Sequence, residues 1–467
     1  MGFVLSVLYL VTYYLTPTTM FGPLAPFRIE LIVAALVFLV SLPALTRSFI
    51  LKTPQSLALT GLAIAVVLSV LIGMRWAGGA EQAFLEFVPS LFAYFLVCLH
   101  CNSKKKLQVL VFMMLLVCLF VIAHGCIDLL RGVPESGPTQ SVATGSDNLD
   151  LWDMEHPYLL AMRSDTGEWL YRLRGLGGIN DPNDFGQLVV CVIPLMFIFW
   201  RTKKMLQNIP FVILPVCALL FGVFLTHSRG ALLALMATAV VAARRRIGTL
   251  PSLLVAGGLF AAAMALNFTG GREISAESGS DRTGLWGVGL QMLKSHPLFG
   301  VGFGDFSDSC DCGHTAHNSI VVCAGELGLF GLYFWSLFLL PTVRDALAVA
   351  SPAEVSEAEP MVPEEGLFPR SARKVEEVGK AEVNSLGRLV VLSLTGFLVA
   401  GMFLSRAFVM TFFLLGGMAE VVFEMALQRG MIAPRLRLTR VLPYAGGLTI
   451  SLVLLMYIMV RILNLMH

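Results

Sequence analysis

Long apolar runs alternate with short polar breaks along almost the whole chain. The runs cover about 3–16, 28–46, 56–74, 83–99, 107–125, 184–200, 208–226, 230–243, 250–268, 317–341, 386–404, 407–427 and 441–460. Each is predicted to be a helix. Most have the length, about 17–25 residues, that carries an α-helix across a hydrocarbon core of about 30 Å. None shows the two-residue alternation of a barrel strand. The pattern predicts an all-α, polytopic membrane protein of about 12–13 transmembrane helices. It also predicts a short helix over Trp286–Ser295, ended by Pro297.

Lysines and arginines in short loops orient such a chain, because they collect on the cytoplasmic side. They cluster at Arg47 and Lys52, at Lys104–Lys106, at Arg201, Lys203 and Lys204, at Arg244–Arg246, and at Arg435, Arg437 and Arg440. Alternation through the runs brings all five clusters to one side. This places the N-terminus inside and, with thirteen spans, the C-terminus outside. No cleavable signal peptide stands out before the first run.

The expected organisation is N-terminal helices over 1–125, an outer loop over 126–183, and a central region over 184–341 holding a second outer loop at 269–316. A charged cytoplasmic linker follows over 342–385, then C-terminal helices over 386–467. The linker mixes Glu354, Glu357, Glu364, Arg370, Arg373 and Lys374 with prolines, as solvated linkers do.

Composition agrees with the pattern. Of 467 residues, 56% are hydrophobic and 14% charged, against about 25% charged in soluble domains. The net charge of +2 points to no partner. Five of the nine cysteines (Cys98, Cys118, Cys191, Cys217, Cys323) lie in apolar runs as small fillers. Cys310 and Cys312 stand in the polar stretch DSCDCGHTAHN, where a disulfide suits an outer face and the spacing is poor for zinc. Walker, G-x-S-x-G and H-E-x-x-H sequences are missing, so ATP hydrolysis, serine hydrolysis and zincin chemistry have no support.

The remaining polar residues gather at outer span ends. Arg229 sits in the break Thr226-His227-Ser228-Arg229-Gly230, on the side where arginine is not expected. A guanidinium held between two spans needs an anion or water; the bland alternative is snorkelling to head groups. Arg172 and Arg174 open the glycine-rich stretch RLRGLGGINDPNDFG, in which Asp181 or Asn183 can cap a helix starting near Asp184. A phosphate there gains from the helix dipole as well as from Arg174. His317 and Asn318 stand at the mouth of a span, either capping it or facing a cavity with positions 321, 324 and 328 on one face. Nine residues further in, Glu326 needs a partner, and a structural hydrogen-bonding role is expected for it. Arg282 precedes the short helix, and Gly300, Gly302 and Gly304 make a mobile or tightly packed turn.

RLRGLGGINDPNDFG, then HSRGALLAL, then R-x3-W with HPLFGVGFG, then HN-x7-E-x-G-x2-G resembles the O-antigen ligase and polymerase superfamily. The resemblance covers about 184–341 with the Arg174 loop before it. It implies a GT-C-like helical glycosyltransferase with undecaprenyl-diphosphate-linked glycan as donor and an acceptor hydroxyl, on the periplasmic face of a bacterial inner membrane. It implies no metal ion or other cofactor, and no nucleic acid among its partners. By motif, Arg174 and Arg229 hold the diphosphate and His317 orients or deprotonates the acceptor, or acts on the donor phosphate. Arg172, Arg282, Asn318 and Asn183 line the substrate, and Trp152 and Trp169 are candidates to stack on sugar rings.

Within the superfamily, the DPNDFG stretch and the HN span resemble ligases, which use lipid A–core as acceptor. Polymerases of O-antigen or exopolysaccharide, and transferases to protein, are the alternatives. A transporter or flippase of an anionic lipid-linked solute would also keep arginines in a polar cavity, although no inverted repeat is visible.

Overall fold

The computed structural model describes residues 1–20, 22–47, 52–133, 152, 155–164, 167–266, 268, 276–310, 313–351 and 379–465. Most of the expected linker, with Arg272, Cys312 and His467, lies outside the described residues.

Every apolar run is helical. The first half of the chain forms α1 (Gly2–Leu15), α2 (Ile29–Arg47), α3 (Pro54–Leu68, extended by a π turn at Ser69–Gly73), α4 (Ala77–His100) and α5 (Lys104–Arg131). A hairpin, β1 (Leu159–Arg163) and β2 (Trp169–Leu173), precedes α6 (Pro182–Leu195). Then come α7 (Leu214–Thr226), α8 (Arg229–Ile247), α9 (Thr249–Ala265) and α10 (Ala276–Ser295). The last four are α11 (Ser319–Ala350), α12 (Lys380–Gly401), α13 (Met410–Leu427) and α14 (Leu438–Leu465). Among the described residues, ten helical stretches are long and apolar enough to cross a membrane. Helices α1 and α9 are apolar but shorter, and α8 carries Arg229 and Arg244–Arg246 in its 19 residues.

Several boundaries differ from the sequence reading, α4 beginning at Ala77 and α12 at Lys380, six residues early in each case. Helix α5 runs on to Arg131, α10 begins ten residues before Trp286, and α11 continues to Ala350, into the expected linker. The hairpin lies in what the sequence reading left as a loop; its strands are antiparallel with Leu159 opposite Leu173 and Arg163 opposite Trp169.

Helices α11 and α13 form the centre. α13 is almost wholly buried against α4, α11 and α12, and α11 packs on α3, α10, α12 and α14. Aromatic rings fill the middle: Phe397 stacks on Phe412 at 5.0 Å, and Phe338 meets Phe412 and Phe413 edge-on. The outermost helices show the opposite. α2 exposes Leu31, Ile32, Leu36 and Leu39, and α14 exposes Ile450, Leu454, Leu455 and Ile458. Apolar side chains turned outward are stable against lipid, where only backbone groups must be satisfied internally.

That backbone demand explains the one break in the centre. Gly328, at φ 65 and ψ −165, interrupts α11, which would strand amides and carbonyls deep in the bundle. The segment 297–304 replaces the missing partners. Val301 and Gly302 donate to the carbonyls of Gly325 and Glu326 at 3.0 and 3.1 Å, while Leu329 and Phe330 donate to those of Pro297 and Leu298 at 2.8 and 3.0 Å. Glycine is required on both sides: a Cβ on Gly328 would lie 2.5 Å from the Leu298 carbonyl carbon, and one on Gly300 2.3 Å from that of Glu326. The glycine turn is therefore tightly packed. The Glu326 carboxyl accepts from the backbone N–H groups of Gly304 and Phe306, which is the structural role expected of it.

Gly300→Ala is therefore expected to lower the thermal stability of the purified protein sharply. Positive φ alone costs on the order of 1–3 kcal/mol, and the contact adds to it. Gly258→Ala in α9, where a methyl meets nothing within 4 Å, is expected to leave stability unchanged in the same melting experiment.

Candidate anion site at three helix N-termini

Three helices begin side by side, each with a side-chain cap. Asp181 caps α6 by accepting from Asn183 N–H at 2.7 Å, with Pro182 in the first position. Ser228 caps α8 through Ala231 N–H at 3.3 Å. Asn318 caps α11, its Oδ1 accepting from Ile320 and Val321 at 2.9 and 3.3 Å. One loop, 402–409, touches all three. Arg406 pairs with Asp184 of α6, Phe403 Cβ lies 3.1 Å from where a methyl on Gly230 of α8 would sit, and Arg406 N–H donates to Ser319 Oγ of α11 at 3.1 Å. The first turns of α6 and α8 also meet, because a methyl on Gly186 would come within 2.9 Å of Ala231 Cβ. Helix N-termini present unpaired N–H groups and a partial positive charge, the combination that receives phosphates.

The sequence-derived residues fall around this point. Arg172 is buried at the end of β2. Its Nε donates to the Thr226 carbonyl at 2.9 Å, and Nη2 donates to Asn183 Oδ1 at 2.9 Å. It thus ties the hairpin to the end of α7 and the start of α6. Arg174, two residues on, donates from Nε to the Pro157 carbonyl at 3.1 Å and from its backbone to that of Tyr158 at 2.9 Å. Arg229 is the first residue of α8. Before it, His227 closes α7 in a left-handed conformation (φ 48), with Nδ1 2.7 Å from the Phe268 carbonyl.

His317 is not on the α11 helix, which starts at Ser319; its φ of 49 turns it out of register with positions 321, 324 and 328. Its backbone N–H donates to Ser405 Oγ at 2.9 Å, and Ser405 in turn donates to Thr315 Oγ1 at 2.8 Å. Arg282 lies on α10, one turn before Trp286, whose Nε1 donates to the Ala316 carbonyl at 3.0 Å. α10 is thereby fastened beside His317. Trp152, in contrast, is 6% exposed and packs in a small core with Leu159 and Ala161. Burial leaves it no face for a sugar. Trp169 is partly open, but Arg163 lies over its ring at 5.3 Å.

Two members of the cluster escaped the sequence reading as charges: Asp184 and Arg406. Asp184 is 5% exposed, and Arg406 grips it with Nε at 2.6 Å from Oδ1 and Nη2 on Oδ2. Burial works against the guanidinium charge, and the adjacent Asp184 more than offsets it, so the arginine pKa is raised. The signal was available: Arg406 sits in a short break between two apolar runs, on the same side as Arg229 by alternation. The pair also links the residues in series. Arg172 bonds Asn183, Asp184 follows it in the chain and holds Arg406, and Ser405 before that residue holds His317.

Arg172→Ala is expected to remove the ties to Thr226 and Asn183, at a cost of about 1–3 kcal/mol. Hydrogen exchange should then speed up across residues 159–173 while α13 remains protected.

Among curated proteins none matches the chain. Residues 214–336 match the family model described as O-Antigen ligase. That stretch holds Arg229, Arg282, His317 and Asn318, together with the broken part of α11, and the match supports the resemblance to the O-antigen ligase and polymerase superfamily.

Proposed function

We propose that the protein transfers a glycan from undecaprenyl diphosphate to an acceptor hydroxyl on the periplasmic face of the inner membrane, as an O-antigen ligase with lipid A–core as acceptor. The observation that carries this reading is the meeting of three helix N-termini with arginines and a histidine at one end of an apolar bundle. It suits a donor whose anionic diphosphate sits at the membrane surface and whose polyprenyl chain lies along lipid-facing helices. The ligase family match covers Arg229 and His317 with the starts of α8 and α11. A disulfide at Cys310 fits an oxidising compartment on that side.

In this mechanism, Arg174 and Arg229 hold the diphosphate and stabilise the charge that grows on it as the glycosidic bond breaks. The N-termini of α6, α8 and α11 add fixed positive potential without needing to reorganise. His317 takes the proton of the acceptor hydroxyl as that oxygen attacks the sugar carbon. Undecaprenyl diphosphate leaves. Arg172, Asn183 and Asn318 hold the walls of the site in place, and Arg282, on α10, is a further substrate-binding residue.

The test is transfer by purified protein given lipid-linked glycan and lipid A–core. Release of undecaprenyl diphosphate with a single glycan added to each acceptor is expected. A ladder of products on the lipid donor instead would make it a polymerase, and no release at all would sink the transferase reading. His317→Ala is expected to lower the rate by about 10²–10⁴-fold. Arg229→Lys is expected to lower it by about tenfold or more, because an ammonium cannot replace a two-pronged guanidinium on phosphate. A snorkelling Arg229 would tolerate lysine, so an unchanged rate in that variant removes it from the site.

A further inference from the structure

The Asp184–Arg406 pair does more than its ion pair requires. A purely structural pair at this depth would be expected to enclose both partners. Here the carboxylate is 5% exposed and the guanidinium side chain 38% exposed. Nε and Nη2 face Asp184, and Nη1 bonds no described residue. The backbone on both sides is held too: Arg406 N–H bonds Ser319 Oγ, and Ser405 Oγ bonds the N–H of His317. A guanidinium fixed along one edge keeps the donors of its other edge in a set direction, with little side-chain freedom left to lose on binding. Arg406 stands beside the first turns of α6 and α11, bonded to Asp184 of one and Ser319 of the other, so nearby helix dipoles favour an anion there.

We propose that Arg406 is a further donor-binding residue, whose open edge takes an anionic phosphate oxygen, and that Asp184 is its positioning residue. The proposal rests on the transferase reading above and adds the contact between His317 and the Arg172 side of the site. The phosphate chemistry is shared by two sources, the diphosphate of the donor and the head group of an ordinary anionic lipid; the donor is the assignment made here.

Binding of undecaprenyl diphosphate to the full-length protein in phosphatidylcholine nanodiscs tests it, with phosphatidylglycerol added as competitor. Arg406→Gln is expected to weaken binding by about tenfold, the loss of one charge-assisted hydrogen bond, with the melting profile showing folded protein. Arg406→Lys is expected to fall between the two, and Asp184→Asn to weaken binding with the arginine still present. A folded Arg406→Gln protein that binds as tightly as wild type overturns the proposal and leaves the transferase reading standing. Wild-type protein that binds no undecaprenyl diphosphate overturns both. Competition by phosphatidylglycerol at equal affinity, lost in Arg406→Gln, would assign the edge to lipid head groups and overturn the donor assignment. Should Arg406→Gln fail to fold, Arg406→Lys and Asp184→Asn decide by the same measurement, and unchanged affinity in both overturns the proposal.

Discussion

The ion pair between Asp184 and Arg406 is the joint on which the site depends. Asp184 is nearly enclosed at the start of α6, where a lone carboxylate would be costly to bury. The nearby helix start favours its negative charge, and Arg406 supplies the counter-charge through an Nε–Oδ1 hydrogen bond and a close Nη2–Oδ2 contact. In exchange for that burial, the loop 402–409 is fixed against α6, and through Ser319 and Phe403 against α11 and α8. Without the pair, the loop would lose its hold on the start of α6. The capping residues Asp181, Ser228 and Asn318 organise each start separately; direct packing of Gly186 on Ala231 joins α6 to α8, and the loop touches all three.

The break at Gly328 supports the same arrangement from behind. Membrane interiors forbid unsatisfied backbone, so a helix can break there only if another segment supplies the missing donors and acceptors. The segment 297–304 does this with four backbone hydrogen bonds. It is covalently joined to α10, and α10 is bonded through Trp286 to the carbonyl of Ala316. The polar stretch carrying His317 is thus held at both ends, by α10 on one side and by Ser405 on the other. The Glu326 carboxyl belongs to this support, accepting from Gly304 and Phe306. Its place well inside the span follows from where the break is, not from chemistry at the mouth.

Much of this was legible in the sequence, and the exceptions share a cause. Helices announced themselves because an apolar run long enough to span a membrane has few other solutions. Asp181-Pro182 as the start of α6 was legible because a cap and a proline act within four residues. The break at Gly328 was not, since the glycine is meaningful only beside Pro297 and Leu298, some thirty residues earlier in the chain. The hairpin β1–β2 was missed for a similar reason: five-residue strands such as LLAMR carry too little alternation to stand out, and β2 packs on α6 and α7, which lie later in the chain. His317 was found by its motif, but its backbone geometry was not. A positive φ before the cap residue moved it off the helical face that spacing implied. Arg406 could have been found by the argument that found Arg229, and was masked by lacking a motif.

Arginines at the two ends of the bundle show how burial separates a structural cation from one suited to a ligand. Arg435 lies between α13 and α14, at the end opposite the site. Its Nε is 3.2 Å from Asp345 and its Nη2 2.5 Å from Glu420, while its guanidinium covers the ring of Phe423 at 4.5 Å. Two buried carboxylates and an aromatic face account for its charge and its planes, and Gln55 completes the set by donating to Asp345 at 3.1 Å. Nothing more can approach: its side chain is 16% exposed. Arg406 has one carboxylate, on one edge, and more than twice that exposure. The same residue type is a rivet where acids surround it, and a partly used donor set where one acid holds it from behind. The arginines at the site end differ further in kind, since Arg172 is oriented by an amide oxygen and a carbonyl. Such acceptors fix direction without supplying a full negative charge, and direction is what stabilising a growing charge on a leaving group demands.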